Sequence, residues 1–294
     1  AHAVCTICPV DAKFTVINEM MSLFEDPRVE LLTEAEVLAL ELTADTVSGV
    51  EYRHEGKVHK AAGDLFVLGA NAIFNPFLLK VSGDTHPLVG RRIHEQVSTR
   101  VLLDLDGVDN YQGSTVFSGQ GYMFYDGEHR REHGGCMTEH YNRITALRHE
   151  FGKWRQRMDL KFIVEDLPLD ENRVEAGPDG KPVVIFERHS DYGMTGLHKV
   201  KQYIEELGRH LPIEGVRYRP EFTESGEPTA TESHIQGTAV MSDDPAQGVV
   251  DRNMIHHRYR NLVVAGGSAF PTSPPANPTL TMCALSLMSA ESLS

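Results

Sequence analysis

Two short apolar segments that each end in glycine constrain the fold of this chain more than any other feature. One is Asp64-Leu-Phe-Val-Leu-Gly69, and the other is Asn261-Leu-Val-Val-Ala-Gly-Gly267. Continuous apolar runs of this length are typical of buried strands in a parallel sheet. A glycine after such a strand permits a tight turn, and it also lets a ligand approach the backbone closely. The sequence therefore predicts an α/β unit, and both roles of the glycines stay open.

The segments around the first run favour further strands and helices. Strand-like patterns lie at 29–33, 36–42, 48–53 and 57–60. Glu55-Gly56 separates the last two of these segments, as the turn of a β-hairpin does. Residues 14–24 favour a short helix. A helix is also predicted at Phe77–Val81, with Pro76 in its first turn, where a helix tolerates proline.

The pattern changes between about residues 95 and 190 to short strands separated by Asp-Gly turns. The strand-like pieces lie at 99–104, 121–125, 160–165 and 182–187. The turns lie at Asp106-Gly107, Asp126-Gly127 and Asp179-Gly180. This arrangement predicts an antiparallel sheet. An amphipathic helix is predicted at 194–208, because apolar residues recur there at helical spacing.

The acidic balance of the chain excludes some classes of partner. The 294 residues contain 28 Lys and Arg against 42 Asp and Glu, a net charge of −14. Nucleic acid needs a basic surface that neutralises its phosphates, so we expect no nucleic-acid partner. No apolar run approaches the roughly 20 residues that span a bilayer, so we expect no membrane span. The negative electrostatic potential of such a chain repels a polyanion, so an uncharged substrate is favoured.

The cysteines and the absence of common motifs narrow the chemistry further. Cys5-x-x-Cys8 lacks the two further ligands that a zinc site requires, and it lacks the preceding strand of a thioredoxin-like motif. We therefore interpret it as structural and predict no metal site. The chain contains no G-x-S-x-G, P-loop, H-E-x-x-H or G-x-G-x-x-G. The common hydrolases, nucleotidases and metalloproteases are thereby excluded, and a complete dinucleotide fingerprint is missing.

Two residues near the C-terminus have side chains suited to catalysis. His234 is followed by Ile-Gln-Gly-Thr238, which favours a turn, and a histidine can take a proton from an alcohol near neutral pH. Asn277-Pro278 favours a helix start, with Asn277 as the N-cap and a positive end that can hold an anion. The structural alternatives are a solvated histidine, one of 15 in the chain, and a cap without further role. We interpret His256-His257 as surface residues.

Four segments, in this order, resemble the glucose–methanol–choline (GMC) oxidoreductases, and most of all their bacterial sugar-dehydrogenase branch. The segments are Cys5-Thr-Ile-Cys8-Pro9, then Asp64–Ala70 with Asn75–Leu79, then Ser233–Thr238 with Met241, and finally Asn261–Ser273 with Ala276–Thr281. The last two are specific because their spacing, order and distance from the chain end all match the family. The likeness is weakest between about 100 and 190, where the family places its substrate domain.

The resemblance implies a flavin enzyme that oxidises CH–OH groups. FAD would be the cofactor, and its contacts would be Val37, Gly69, Ala70, Gly267, Asn277 and Pro278. His234 would remove the hydroxyl proton of a sugar or alcohol, and Asn277 would fix the substrate oxygen while the hydride passes to the flavin. We expect a dehydrogenase rather than an oxidase, with a quinone, a cytochrome or oxygen as the electron acceptor.

The resemblance also implies how the chain is organised. We expect a mixed α/β fold with a partial FAD-binding, Rossmann-like domain at 1–95, a substrate-binding domain with an antiparallel sheet at 96–225, and a return to the FAD-binding domain at 226–294. The family begins with a strand, a G-x-G-x-x-G turn and a helix, which this sequence lacks. The chain therefore resembles the C-terminal portion of a longer protein, or one half of a split one. A non-catalytic or partner-requiring subunit is the alternative function.

Overall fold

The computed structural model describes residues 14–110, 117–143, 146–218 and 228–293, so Cys5-x-x-Cys8 lies outside the described residues. The helices are α1 (Val16–Glu19), α2 (Met21–Glu25), α3 (Asn71–Val81), α4 (Asp191–His198), α5 (Val200–Leu207) and α6 (Thr279–Ser292). The strands are β1 (Glu36–Leu42), β2 (Val47–His54), β3 (Lys57–Ala62), β4 (Phe66–Leu68), β5 (Val97–Leu105), β6 (Phe117–Phe124), β7 (Cys136–Tyr141), β8 (Arg157–Val164), β9 (Arg173–Ala176), β10 (Pro182–Ile185), β11 (Ile213–Tyr218) and β12 (Leu262–Val264). The predicted mixed α/β class is confirmed.

The two apolar runs that end in glycine pair with each other. Strand β12 lies parallel to β4, with Leu262 opposite Phe66 and Val264 opposite Leu68. Because parallel strands point the same way, the glycine turns that follow both strands lie at one edge of this pair. The predicted parallel strands are confirmed, but Val67 is 60% exposed, so β4 is not buried on both faces.

Helix α3 corrects the predicted position of Pro76. The helix begins at Asn71, so Pro76 lies in its middle and not in its first turn. A proline inside a helix leaves the carbonyl four residues earlier without its usual donor. Here that carbonyl belongs to Ala72, and Thr238 Oγ1 donates to it at 2.8 Å. A hydroxyl from the segment of His234 thus compensates for the bond that the proline removes.

The N-terminal segments are partly as predicted. Strands β1, β2 and β3 form an antiparallel meander, and its hairpin turn has positive φ at both Glu55 and Gly56, as a type I′ turn requires. The short helices α1 and α2 lie in the predicted region. The predicted strand at 29–33 is wrong. Val29 and Leu31 are exposed there, and no neighbouring strand offers hydrogen bonds to this segment among the described residues.

The middle of the chain forms the predicted antiparallel sheet, in the order β11-β5-β8-β7-β6. Strands β7 and β11 were not predicted, and β10 belongs to a separate hairpin with β9 instead of this sheet. The predicted helix at 194–208 is divided at Lys199 into α4 and α5. Leu197, Val200 and Ile204 of these helices pack on one face of the sheet, against a core that includes Phe162.

The opposite face of this sheet is polar. The strand register places Gln120, Glu139, Lys161 and Arg100 side by side across β6, β7, β8 and β5. Alternate side chains of a strand point to opposite faces, so this row lies away from the helices. The segment after residue 228 contacts the same face, since Ser98 binds Thr229 and Lys161 forms an ion pair with Glu232. The polar face therefore borders the segment of His234.

A second core lies beneath the parallel pair and contains Leu79, Val249, Met254 and Leu262. His256 lies beside it with no exposed surface, so the interpretation of His256 as a surface residue is wrong. Its Nδ1 accepts the backbone N–H of Arg258 and of Tyr259, and its Nε2 contacts Asp84 at 2.9 Å. These partners satisfy the ring and make it part of the fold.

Candidate active site

A buried asparagine joins the two glycine turns at the edge of the parallel pair. Asn75 has no exposed surface. Its Oδ1 accepts the Ala70 amide at 2.7 Å, and its Nδ2 donates to the Ala265 carbonyl at 3.2 Å and to Ser268 Oγ at 2.7 Å. The asparagine therefore holds both strand ends in fixed relation. Sequence reasoning gave it no role, although an asparagine directly before a proline inside a helix was a usable signal.

An open groove of about 870 Å³ begins at the first of these turns. Val37, Gly69 and Ala70, three of the predicted FAD contacts, line it together with the rings of Phe74 and Phe77. Apart from its chain neighbours, no atom of the described residues lies within 4 Å of a Cβ placed on Gly69, and its φ is not in the left-handed region. A steric need therefore does not account for this glycine, whereas a close approach by a ligand does. Contact with a cofactor stays a prediction for all three residues.

Backbone conformation and packing explain why both residues after β12, Gly266 and Gly267, are glycines. Gly266 has a φ of 86°, which favours glycine. A Cβ on Gly267 would lie 3.1 Å from the Ile235 carbonyl oxygen, and the Gly267 carbonyl accepts the Gly237 amide at 2.9 Å. Gly267 thus lets the second turn pack directly against the backbone that follows His234, and its predicted contact with FAD stays a prediction.

The segment of His234 is irregular and strained at both ends. Ser233 has a φ of 61° and Thr238 a φ of 81°, both unusual for residues with a Cβ. Such strain persists where the surrounding structure fixes it, and it is often found at functional sites. The half-buried imidazole of His234 contacts Gln96 through Nδ1, with 2.7 Å between Nδ1 and Gln96 Oε1.

Gln96 connects His234 to the loop that carries Asn277. It is 1% exposed, and its Nε2 donates to the carbonyl oxygens of Pro274 at 2.7 Å and Ala276 at 2.8 Å. Residues 234 and 277 are distant along the chain, but one carboxamide holds both segments. Sequence reasoning missed Gln96, because nothing in its local pattern indicates these distant partners.

Asn277 lies at the mouth of this site, but it is not the cap of the final helix. Helix α6 begins at Thr279 with Pro278 as its N-cap, so the predicted cap at Asn277 is wrong. Asn277 is exposed, and its Nδ2 donates to Glu139 Oε1 at 3.2 Å. Glu139 is 4% exposed and also accepts the hydroxyl of Tyr141. The carboxyl group of the polar face thus orients the amide of Asn277.

The charges around His234 have opposing effects on its pKa. Burial lowers the pKa of His234, and the positive charge of Lys161 lowers it further. The acidic side chains of Glu232, Glu139 and Glu95 raise it in part. The net direction is downward from the ordinary value of 6.5, which favours a neutral imidazole near neutral pH. A neutral imidazole can accept a proton.

Two buried polar side chains near the glycine pair have no protein partner within the described residues. Both amide atoms of Gln236 and the Ser273 hydroxyl lack a hydrogen bond there. Gln236 has no exposed surface, and its Cγ lies 3.8 Å from a Cβ placed on Gly267. Buried polar groups usually have partners, so these groups fit a site that receives a polar ligand.

The described part of the chain contains no group of three or more His, Cys, Asp or Glu side chains that could hold a metal ion. None of its described helices has both the length and the apolar character that crossing a bilayer requires.

Comparison with known proteins identifies the C-terminal part of the chain. Residues 168–286 match the family model described as GMC oxidoreductase. The fructose dehydrogenase large subunit of Gluconobacter japonicus is 24% identical over 98% of this chain and 58% of that protein. The C-glycoside 3-oxidase of Arthrobacter globiformis is 25% identical over 92% of this chain and 54% of that protein. The chain thus spans little more than half the length of these relatives.

Solved structures show the same fold. Pyridoxine 4-oxidase from Mesorbium loti has a TM-score of 0.69 at 18% identity, over 92% of this chain and 59% of that one. Formate oxidase of Aspergillus oryzae has a TM-score of 0.63 at 17% identity, over 90% of this chain and 60% of that one. At this level of identity the likeness concerns the fold alone.

Proposed function

We propose that this chain belongs to the GMC oxidoreductases, whose family model its residues 168–286 match, and that it forms the substrate side of an FAD-dependent enzyme that oxidises a CH–OH group of a neutral sugar or alcohol. The observation that carries the proposal is the convergence of His234 and Asn277, through Gln96 and Glu139, on the polar face of the antiparallel sheet. An imidazole and a carboxamide that one hydrogen-bond network holds are suited to removing a hydroxyl proton and fixing the oxygen that bears it.

The fit of FAD is supported by the open groove and by the unpaired polar atoms of Gln236. Val37, Gly69 and Ala70 would hold part of the cofactor, since they line the groove. Gly267, Asn277 and Pro278 would lie near its ring. When bound, FAD supplies the acceptor for the hydride of the substrate carbinol.

His234 acts as the general base in this proposal. Burial lowers its pKa below 6.5, so the imidazole is neutral at pH 7 and can accept the hydroxyl proton. No protein group of the described residues binds its Nε2. Asn277 is exposed on the loop that Gln96 holds through Ala276, and its Oδ1 and second N–H remain able to meet the substrate oxygen.

The charges of the site favour a neutral substrate. Three buried acidic side chains, Glu95, Glu139 and Glu232, act on His234, and Lys161 is the basic side chain that acts on it. A sugar acid would be repelled by this excess of carboxyl groups, whereas hydroxyl groups can hydrogen-bond to the polar row of the sheet. The proposed electron acceptor is a quinone, a cytochrome or oxygen, and we propose a dehydrogenase, although the relatives include both a fructose dehydrogenase and a C-glycoside 3-oxidase.

A partner-requiring subunit is the second candidate function, and one observation favours it. Several apolar side chains of β4 and of α6 are open to solvent: Val67 is 60% exposed, Leu287 63% and Leu280 82%. A two-stranded sheet is marginal by itself, so a further segment or a partner chain would stabilise this region. Under this alternative, catalysis requires that added segment, and FAD does not bind to residues 1–294 alone.

The test is the rate at which a neutral sugar reduces the bound flavin under anaerobic conditions. In the FAD-loaded protein, His234→Ala removes the base, and we expect the rate to fall by about 10²- to 10⁴-fold with unchanged FAD content. His59→Ala, on the exposed strand β3, is the matched control and should leave the rate unchanged. An unaltered rate in His234→Ala would contradict the proposed role.

A further inference from the structure

We propose that Gln96 is a positioning residue that selects the tautomer of His234 and aligns this base with the loop of Asn277. The inference rests on the proposed function, because the tautomer matters for the reaction only if His234 receives a proton. It adds a residue outside the predicted pair, at the point where the chain enters strand β5.

The donors of the Gln96 side chain fix its orientation. The carboxamide nitrogen has two N–H groups, and both have acceptors, the carbonyl oxygens of Pro274 and Ala276. The reverse orientation would place the carboxamide oxygen against two carbonyl oxygens, which repel it. The side chain therefore presents its oxygen, an acceptor, to His234.

The orientation of Gln96 determines where the ring of His234 carries its proton. Nδ1 of the ring lies 2.7 Å from Gln96 Oε1, and an acceptor at this distance requires a proton on Nδ1. A neutral imidazole carries one proton, so Nε2 holds the lone pair. Nε2 is then the atom that receives the substrate proton. In the other tautomer an N–H would face the hydroxyl group and could not act as a base.

The backbone around Gln96 is held on both sides. Glu95 accepts the Thr231 hydroxyl at 2.9 Å and the Glu232 amide at 3.0 Å. Ser98, on the other side, accepts the Thr229 amide at 2.9 Å through its carbonyl. Gln96 is buried between these contacts and cannot turn towards solvent. One side chain thus fixes the proton on the base and the position of the loop that precedes Asn277.

Two substitutions separate these effects in the FAD-loaded protein. Gln96→Leu removes the acceptor and both donors, and we expect flavin reduction by the sugar to slow by about 10- to 100-fold, less than the loss of the whole base would cost. Gln96→Glu keeps an acceptor for His234 but loses both donors to the loop carbonyls. Its charge favours the imidazolium, so the acidic limb of the pH–rate profile should move to higher pH. Glu232, Glu139, Glu95 and Lys161 also act on the imidazole and stay unchanged in both variants.

Gln156→Leu is the matched control. Gln156 is a half-buried glutamine whose Oε1 accepts the Gly107 amide, far along the sheet from His234. The variant loses one exposed hydrogen bond of 3.2 Å, so it shows whether a glutamine-to-leucine change elsewhere in the sheet alters the rate. We expect its rate and its pH–rate profile to match those of the unaltered protein.

A measurement on the unaltered protein needs no variant to fold. The ¹⁵N chemical shifts of the His234 ring report which nitrogen carries the proton, and we expect Nδ1–H at neutral pH. A proton on Nε2 would overturn the inference, as would a pH–rate profile that Gln96→Glu leaves in place. If His234→Ala does not slow flavin reduction, the proposed function fails instead. If it does, and the Gln96 variants behave like Gln156→Leu, only the positioning role is wrong.

Discussion

The antiparallel sheet and the parallel pair differ in how completely they are packed. In the sheet, Val101, Leu103 and Phe162 have no exposed surface, because α4 and α5 cover one face. In the parallel pair, Val67 of β4 is 60% exposed and Leu65, just before it, is 46% exposed. The comparison indicates that one face of the sheet is covered within the described chain, whereas β4 keeps an exposed apolar side chain beside the groove even though β12 is buried.

The two regions also differ in the polar groups that hold them. In the sheet, the buried carboxyl group of Asp104 binds Arg157 and Arg217 and lies 3.9 Å from Arg148. At the parallel pair, the neutral carboxamide of Asn75 has the corresponding role. Asn75 adds no charge at the end of the groove, whose charged lining residues are Glu36 and Lys181.

The largest effect on stability is expected at Asp104. Asp104→Ala leaves buried arginine charges without their partner, which costs about 3–5 kcal/mol of the free energy of unfolding. Arg53→Ala is the control, because its ion pair with Glu36 is exposed and should contribute less than about 1 kcal/mol. Chemical denaturation of both variants measures the difference. Equal losses would mean that the cluster does not stabilise the sheet.

The same cluster gives the sheet a defined response to acid. Burial alone raises the pKa of Asp104, but the hydrogen bonds and charges of Arg157 and Arg217 outweigh it and hold the pKa below the ordinary value of 3.8. Because the pKa of Asp104 is lower in the folded state than in the unfolded state, its ionised carboxyl group stabilises the fold at pH values above 3.8. This stabilisation is lost as the pH falls from 3.8 through the lower pKa of the folded state. In Asp104→Ala this part of the acid sensitivity should be absent.

A smaller effect is expected at Asn75. Asn75→Ala leaves the Ala70 amide and the Ala265 carbonyl without their partner, and we expect a loss of about 1–3 kcal/mol of stability. The loosened turns should also weaken FAD binding, which no substitution at Asp104 should do directly. Denaturation and flavin titration of one preparation measure both quantities. A variant that loses stability but keeps its FAD affinity would separate this clamp from the cofactor groove.

The smallest effect, and the most specific one, is expected at Gly69. A Cβ there meets no atom of the described residues, so Gly69→Leu should leave the stability of the unliganded chain within about 0.5 kcal/mol. It would enter the groove, and we expect the Kd for FAD to rise about tenfold, or ~1.4 kcal/mol. Gly63→Leu, on the exposed loop before β4, is the control and should leave the Kd for FAD unchanged. An unchanged Kd would exclude Gly69 as a cofactor contact.

The sequence predicted those parts of the fold in which local pattern and tertiary contacts agree. The strands β4 and β12 were found because a short apolar run that ends in glycine is typical of a buried parallel strand. Strand β7, Cys-Met-Thr-Glu-His-Tyr, was missed, because its two faces meet a buried core and a polar site, and so it has no simple alternation. The polar side chains that interrupt the strand pattern in the sequence, above all Glu139, also border the candidate site.

The candidate site was predictable in its residues but not in its connections. His234 and Asn277 were identified from turn and helix-start patterns and from a family resemblance. Gln96 could not be, because its partners lie 138 to 180 residues away and no local pattern records them. The error at His256 has the same cause: a polar pair before a strand favours the surface, but Asp84 and two backbone amides satisfy the ring in the interior.

The central claim is that His234 and Asn277 act on one substrate oxygen, and a double-variant cycle tests it most directly. The rate of anaerobic flavin reduction by a neutral sugar is measured for His234→Ala, Asn277→Ala and the double variant. Residues that act as a unit are strongly non-additive, so we expect the double variant to be about as slow as the slower single one. Losses that multiply, or a single variant with the full rate, would contradict the account.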